Sequence, residues 1–497
     1  MQLPVDLRTV LDAVHQAGGR PRLVGGCVRD WLLGLVPKDF DIEVGTLDFE
    51  QLHRTLAPFG ATDVVGRSFG VIKLRLATGE YDFSLPRRES KTGAGHRGFR
   101  VDPDPRLSDA EAAARRDFTI NAIAYDPFTG ALIDPHHGER DLEAGILRHT
   151  SESFVEDPLR VLRAMQMAAR YDLALAPETA ALCQSIADTF GELPIERVWG
   201  EWDKWATQSV HLSRGLAVLV ETGWLRHFPE IASMRGTPQE PEWHPEGDVL
   251  THTQYCLDAL TESAAWKSAG APRRRLLSFA VLAHDFGKPL TTNYADKHGV
   301  MRWISPGHEA AGGPLAETFL QRIGSPHDLI EPVRALVVHH LLHHHGSRSV
   351  YTDTQIRRLS RRLMPATIED LCEVMSADAH GRPPLSPRES LALIAVLRTR
   401  SQELAVAETA PHPILLGRHL LARGLKPSPQ FKPLLDTAFE AQLEGEFADE
   451  AGALAWLQNH LASHPAAPAQ PASPGPVCNV LCDKPEGATP SGMSPIK

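Results

Sequence analysis

The hydrophobic period of this chain changes once, near residue 140. Before that point, short segments alternate apolar and polar residues between glycine turns: "PRLVGG", "ATDVVG", "GVIKLRLA" and "EYDFSLP". A period of two predicts half-buried strands. An amphipathic helix over about 5–17 precedes them, and "CVRDWLLG" reads as a second helix. After residue 140 almost only helical spacing remains, as in "EDPLRVLRAMQMAARYD" and "LPIERVWGEWDKWATQ". The expected fold class is therefore α+β: a mixed or antiparallel sheet with helices, then an all-α remainder. Expected divisions are 1–140, 141–210, 211–400 and 401–465, with a Pro/Ser/Gly-rich tail over 466–497 that is too polar to order itself. Segment 241–250, "PEWHPEGDVL", reads as a linker.

A chain of 497 residues is too long for one ordinary domain. It holds no apolar run of about 18 residues, so no membrane span is expected. Its six cysteines, Cys27, Cys183, Cys256, Cys372, Cys478 and Cys482, form no CxxC pair. Reduced thiols and a cytoplasmic setting are expected. The net charge of −11 argues against a general nucleic-acid coat. It leaves room for a local basic face, and "RRESKTGAGHRGFR" at 87–100 is such a cluster.

The chemistry begins at "KDFDIEV". Asp39 and Asp41 stand two apart in an expected strand, so their side chains share a face. Like charges there repel unless a cation lies between them or water solvates both. Asp82, in "EYDFSLP", would join them if its strand lies alongside. Three carboxylates suit two Mg²⁺ ions, which prefer oxygen ligands. A metal pair can activate an attacking hydroxyl and hold a triphosphate for in-line displacement. Upstream, Gly25 and Gly26 follow a strand and open a helix, where backbone N–H groups favour phosphate. Arg29, one turn on, could reach a phosphate or pair with Asp30.

These stretches, followed by "VVGRSFGVIKL", "RRDFTINAIAYD", "LIDPHHGERDL", "EDPLRVLRAMQMAARY" and "ERVWGEWDK", resemble in order the motifs of bacterial class II tRNA nucleotidyltransferases, the CCA-adding enzymes. Their superfamily includes the bacterial poly(A) polymerases. The resemblance is close over about 20–205. It implies a polymerase β-like nucleotidyltransferase palm as head and a helical neck that selects the base. The implied reaction is template-independent addition of C, C and A to the 3′ end of tRNA from CTP and ATP. Asp39, Asp41 and Asp82 would be catalytic, with Mg²⁺ on Asp39 and Asp41. Base choice falls to Asp157 and Arg160 of "EDPLR", three apart on an expected helix and so on one face. Asp only accepts and Arg only donates. Cytosine and adenine both present an amino donor beside an acceptor ring nitrogen, which this pair can satisfy. Uracil and guanine present the reverse and would leave buried groups unpaired. By resemblance Arg116 and Arg163 also contact nucleotide, and Asp117 and Asn121 are ribose contacts. Gln166 stands where many family members carry another Arg. The stretch "PRRESKTGAGHRGFRVDPDP" matches the family's flexible loop, associated with the switch from C to A. A poly(A) polymerase, or an enzyme adding only CC or only A, is the alternative within the class. Poly(A) polymerases usually carry a strongly basic C-terminal extension, whereas the tail here is Pro/Ser-rich and not basic.

The helical remainder is rich in histidine. His252, His284, Asp285, His308, His340 and Asp378 occur in the order His…His-Asp…His…His…Asp, which resembles the HD phosphohydrolase fold. Imidazoles and carboxylates on several helices suit an unidentified divalent metal, whose bound water could attack a phosphate ester or cyclic phosphate. The alternative is a scaffold that keeps its ligands without activity. A different class remains open for the whole chain: a metal-dependent HD phosphohydrolase with a degenerate polymerase head. The segment 405–465 resembles the C-terminal module of HD-bearing members, which contacts the tRNA elbow or supports the body. The oligomeric state is left open by the sequence.

Overall fold

The computed structural model describes residues 1–65, 70–91, 99–342 and 351–463. The tail over 466–497, with Cys478 and Cys482, and parts of "VVGRSFGVIKL" and of the 339–345 histidine run lie outside the described residues.

The strands of the head are β1 (Arg20–Val24), β2 (Asp41–Gly45), β3 (Ala61–Val65), β4 (Val71–Arg75) and β5 (Glu80–Ser84). Then come β6 (Arg87–Lys91), β7 (Phe99–Pro103), β8 (Ala124–Tyr125) and β9 (Leu132–Ile133). Seven of them make one sheet in the order β3-β4-β5-β2-β1-β8-β9. The β2–β5 pair is parallel and the other neighbours are antiparallel. This is the mixed sheet the alternation predicts. The Val5–Gln16 helix buries Leu7, Val10, Leu11 and Val14, a stripe at helical spacing. It joins Ile42, Val44, Ile72 and Phe83 in the head core.

Strands β6 and β7 pair antiparallel as a separate ribbon. The stretch expected to be a flexible loop is thus two strands at its ends, and its centre, 92–98, lies outside the described residues.

The expected division between a neck at 141–210 and a body at 211–400 is not a division of the core. One apolar cluster runs from Phe118 to Val406. Trp202, on the Ile195–Gln208 helix, shows why. It packs edge-on against Trp205 (5.2 Å), Phe228 (5.1 Å) and Phe319 (5.4 Å), so neck and body close on the same ring. The chain divides instead into two compact units, Met1–His412 and Pro413–Lys497. The second has its own small core around Leu415, Leu420, Phe447 and Leu457.

Strands also occur beyond residue 141, where helical spacing alone was expected. A short parallel pair joins β10 (Ile146–Leu147) and β11 (Ala174–Leu175). A hairpin joins β12 (Asn293–Lys297) to β13 (Val300–Ile304). Its two-residue turn, His298 and Gly299, has φ of 59° and 85°, the left-handed pair that a tight hairpin needs. Tyr294 lies opposite Trp303, with ring centroids 5.2 Å apart. Five-residue strands are too short to stand out against helical neighbours.

Trp202→Ala should destabilise the first unit by about 3–5 kcal/mol, the usual result of deleting a buried aromatic side chain. Because the ring serves one core, neck and body should still lose structure in one transition. Hydrogen exchange followed against denaturant would show this, and separate neck and body transitions would contradict it.

Candidate functional site

Parallel pairing sets Asp41 directly beside Asp82 in register. Adjacent strands lie about 4.8 Å apart, so the two carboxylates come from neighbouring positions on one sheet. Asp39 lies just before β2, exposed, and not within a strand as expected. The Asp-x-Asp pair therefore straddles the strand start. Burial raises the pKa of Asp41; Arg116 opposes this, and Asp82 and Asp39 add to it. That is the signature of carboxylates lacking enough positive charge. Lys73, paired with Asp82 across β4, supplies part of it with Nζ 3.5 Å from the Asp82 Oδ1. The donor set, carboxylates on the neighbouring inner strands β2 and β5 and just before β2, could hold a hard divalent cation that keeps several waters.

Gly25 caps the Gly26–Leu32 helix with φ of 75°. A Cβ there would stand 3.1 Å from Arg116 Nη1 and 3.5 Å from Asp41 Oδ2. The glycine turn thus lies directly against the carboxylates, with Gly26 beginning the helix. Arg29, expected at a phosphate, has its partners within the protein. It is buried, and its guanidinium donates to Asp30 Oδ1 (2.9 and 2.7 Å), Asn121 Oδ1 (2.6 Å) and the Tyr171 hydroxyl (2.5 Å). Asn121, expected at a ribose, is buried, accepts from Arg29 and donates to Asp117 Oδ1 at 2.9 Å.

A cavity of about 280 Å³ lies between the head and the Leu159–Tyr171 helix. Six arginines line it (Arg87, Arg115, Arg116, Arg160, Arg163, Arg197) against two aspartates (Asp117, Asp157). That excess of positive charge suits a polyanion. Asp157 is not on the helix, which begins at Leu159; the intervening Pro158 occupies the cap position. Asp157 still accepts from the Leu159 N–H at 3.1 Å and from Arg197 Nη2 at 2.8 Å, so its orientation is fixed from two sides. Arg160 is clamped through the Ser153 carbonyl (3.0 Å) and the Arg115 carbonyl (2.7 Å). Arg163 donates through Nε to Asp117 Oδ2 at 2.7 Å. Burial works against ionisation of Asp117, yet Arg163 and Asn121 hold its pKa below the usual carboxylate range. Gln166 is buried, with its Oε1 unpaired. Arg197 and Arg115 are members of this cavity that the sequence reading did not single out, and Arg87 stood only within the basic cluster. Arg197 stands in "ERVWGEWDK", and its only signal was that motif.

A second centre lies in the helical body. His252, His284, Asp285, His308, His340 and Asp378 are each at most 6% exposed. They come together from five separate segments. Asp285 is central: its carboxylate oxygens lie 3.3 Å from His284 Nε2, 3.3 Å from His308 Nε2 and 3.9 Å from His340 Nε2. Each of these rings has Nδ1 against a backbone carbonyl: His284 with Val281 (2.6 Å), His308 with Ser305 (2.7 Å) and His340 with Val337 (2.7 Å). A carbonyl only accepts, so Nδ1 carries the proton and Nε2 presents a lone pair in the neutral ring. His308 and His340 bring those Nε2 atoms to 3.3 Å of each other. Burial, with His284 and His308 nearby, pushes His340 down to about 3, so it stays neutral. Lys288 Nζ, 2.7 Å from Asp285 Oδ2, balances part of the carboxylate charge, but two facing Nε2 lone pairs still repel unless a proton or a metal cation lies between them. The donor set of Asp285, His308 and His340, with ligand atoms all within 4.8 Å, could hold a transition metal. His252, His284 and Asp378 belong to an adjoining group of the same kind.

The segment expected to be a linker contributes here too. Glu246 Oε1 accepts from His252 Nδ1 at 2.8 Å and lies 2.9 Å from His244 Nδ1. A carboxylate behind an imidazole fixes its tautomer and orients it toward a metal. The sequence signal was present in "HPEGD", where His and Glu stand beside the helix-capping Asp248. A cavity of about 600 Å³ opens over this centre, lined among others by Trp243, Trp303, Lys288, Lys297 and Arg382.

The chain is similar to known proteins over most of its length. Residues 21–148 match the family described as the poly A polymerase head domain. Residues 172–235 match the probable RNA and SrmB-binding site of polymerase A. The chain is 39% identical over 371 residues to the multifunctional CCA protein of Chromobacterium violaceum, covering 72% of this chain and 84% of that one. It is 38% identical to that of Laribacter hongkongensis (73% and 85% covered) and 38% to that of Nitrosococcus oceani (74% and 86%). Among solved structures, the Bacillus stearothermophilus CCA-adding enzyme in complex with CTP shares the fold with a TM-score of 0.62 at 23% identity, over 93% of this chain and 99% of that one. The Thermotoga maritima CCA-adding enzyme complexed with tRNA gives 0.58 at 19%, over 92% and 96%. The fold and site define a nucleotidyltransferase of the poly(A) polymerase superfamily. Within it, the chain belongs to the multifunctional CCA protein family. No helix among the described residues is long and apolar enough to cross a membrane.

Purified without chelator, the chain should carry a divalent transition metal by elemental analysis. Asp285→Ala should release most of it while the far-ultraviolet circular dichroism stays unchanged. Equal metal contents would contradict the assignment of the buried histidines.

Proposed function

We infer that the chain adds C, C and A to the 3′ end of tRNA from CTP and ATP, with no nucleic-acid template. The observation that carries this reading is the arginine-rich cavity holding Asp157 and Arg160, joined through Arg116 to the Asp41–Asp82 pair. The cavity is the nucleotide pocket. Its clamped Asp157 accepts the amino hydrogen of cytosine or adenine, and Arg160 donates to the ring nitrogen. Arg116, Arg163 and Asp117 surround the rest of the nucleotide, with Asp117 held in place by Arg163 and Asn121. The Gly25–Gly26 turn lets the phosphates approach the backbone closely.

Asp39, Asp41 and Asp82 are the catalytic carboxylates, with Mg²⁺ held by Asp39 and Asp41. When bound there, the metal supplies charge neutralisation for the triphosphate and lowers the pKa of the attacking tRNA 3′-hydroxyl. The chain's own contribution is positional: no protein nucleophile is required, and the residues align a hydroxyl with a phosphorus. We place the chain in the cytoplasm, in keeping with Cys27, Cys183, Cys256 and Cys372 as free thiols. We also take 1–140 as the head and 141–210 as the base-selecting neck in functional terms, although the neck shares its core with the body.

The lone pairs facing each other at 3.3 Å favour a second activity for the histidine centre: hydrolysis of phosphate esters or cyclic phosphates. His252, His284, Asp285, His308, His340 and Asp378 are its metal ligands. A bound metal would there supply an activated water. Lys288, Lys297 and Arg382 bring positive charge to the cavity above it.

The test uses one tRNA transcript ending at the discriminator base, at C, or at CC, with Mg²⁺ and CTP, ATP or both. Products sized at single-nucleotide resolution should grow by C, C and A and stop. A long A ladder would make the chain a poly(A) polymerase, and growth by C only or A only would make it a specialised partner enzyme. Asp41→Ala should lower addition at least about 10²–10³-fold, the usual scale of losing one strong transition-state charge contact. It should leave hydrolysis of a cyclic nucleotide intact, while Asp285→Ala should do the reverse. Loss of both activities in either variant would refute two separate centres.

A further inference from the structure

One atom of the histidine centre lies outside the six expected ligands. Cys256 follows His252 by four residues on the Val249–Glu262 helix, which puts both on one face. It is fully buried, and its Sγ lies 3.4 Å from His252 Nε2. The ligand-capable atoms of His252, Cys256, His284 and Asp378 all lie within 4.8 Å of one another.

A buried cysteine is ordinarily a small apolar filler. The surroundings of Cys256 are of another kind. His252 Nδ1 faces two acceptors, Glu246 Oε1 at 2.8 Å and the Gly381 carbonyl at 3.1 Å, so it carries the proton. His252 Nε2 lies 3.1 Å from Asp378 Oδ1; a protonated ring donates there, and a neutral one offers a lone pair to a metal instead. His284 Nε2, buried in the same group, makes no hydrogen bond of acceptable geometry. The backbone also makes room for the sulfur. A Cβ at Gly381 would stand 2.2 Å from Cys256 Sγ, so a side chain there would displace it.

Tetrahedral zinc, with N at about 2.0 Å and S at about 2.3 Å, places its nitrogen and sulfur ligands roughly 3.5 Å apart. The observed separation of 3.4 Å between Sγ and His252 Nε2 matches that spacing. We propose that Cys256 is a thiolate ligand beside His252, His284 and Asp378, so that the centre takes a soft or borderline transition metal such as zinc or cobalt in preference to magnesium. A thiolate ligand favours such metals, whereas magnesium demands oxygen. On binding, the thiol proton passes to solvent as the metal–sulfur bond forms, with no change of oxidation state. The proposal rests on the reading of the histidine centre as a metal site.

The experiment loads the full chain, stripped by chelator, with Co²⁺ and records its absorption spectrum. A thiolate-to-cobalt charge-transfer band in the near ultraviolet should accompany the visible bands of low-coordinate Co²⁺. Cys256→Ala, which removes the thiolate and little volume, should lose the charge-transfer band, keep visible bands, and weaken Zn²⁺ binding by at least about 10–100-fold, the scale of losing even an outer-shell partner. Nucleotide addition to tRNA by the same variant checks that it has folded. Visible bands with no charge-transfer band, or a band unchanged in Cys256→Ala, would overturn the cysteine's role while leaving the metal centre standing. Failure of Co²⁺ to bind at all would overturn both.

Discussion

A buried chain of charge-assisted hydrogen bonds holds the two halves of the nucleotide site in register. Asp30 accepts from Arg29, Arg29 donates to Asn121, Asn121 donates to Asp117, and Asp117 accepts from Arg163. Arg29 also stacks on the Tyr171 ring, with Cζ 4.3 Å from its centroid. The chain begins on the helix that the glycine turn opens and ends on the helix beside the arginine-rich cavity. Removing one member of such a network leaves a buried charge unpaired, which costs about 3–5 kcal/mol. The network therefore fixes where the base pocket lies relative to the carboxylates. An aligned polymerase needs this, because a misplacement of about 1 Å can lower a rate about 100-fold.

Viewed this way, the invariance of function across bases becomes a problem of rigidity. C and A differ in size but offer the same hydrogen-bond order to Asp157 and Arg160. A pocket that reads the order needs both side chains held still. Arg197 and the Leu159 N–H hold one, and two backbone carbonyls hold the other. Under the proposed base-reading role of Asp157 and Arg160, Arg197 would act as a positioning residue without touching a base.

The sequence made the head legible because strand alternation and the carboxylate spacing are local signals. The pairing of Asp41 with Asp82 followed once β5 was placed beside β2. The partners of Arg29 and Asn121 were not legible for the opposite reason: polar residues near a glycine turn look alike in sequence, and only the fold shows which of them meet each other. Asp157 fell outside its expected helix because Pro158 takes the cap. His244 and Glu246 were hidden in a segment whose prolines and glycine read as a linker. Cys256 was passed over because one cysteine carries no spacing of its own; its meaning comes from Asp378 and His284, more than 25 residues away in the chain or further. The shared neck and body core was likewise invisible, since helical periodicity shows which face is buried and not against what.

The account's central claim is that protein hydrogen bonds at Asp157 and Arg160 choose the base. The most direct measurement is kcat/KM for CTP against UTP on tRNA ending at the discriminator base, in the native chain and in Asp157→Ala. A site that pairs its ligand's polar groups discriminates by about 10⁴–10⁵ against an unpaired analogue. The account predicts a large preference for CTP that collapses by at least about 10²-fold in the variant, with UTP incorporated. An unchanged preference, with both nucleotides slowed alike, would contradict it.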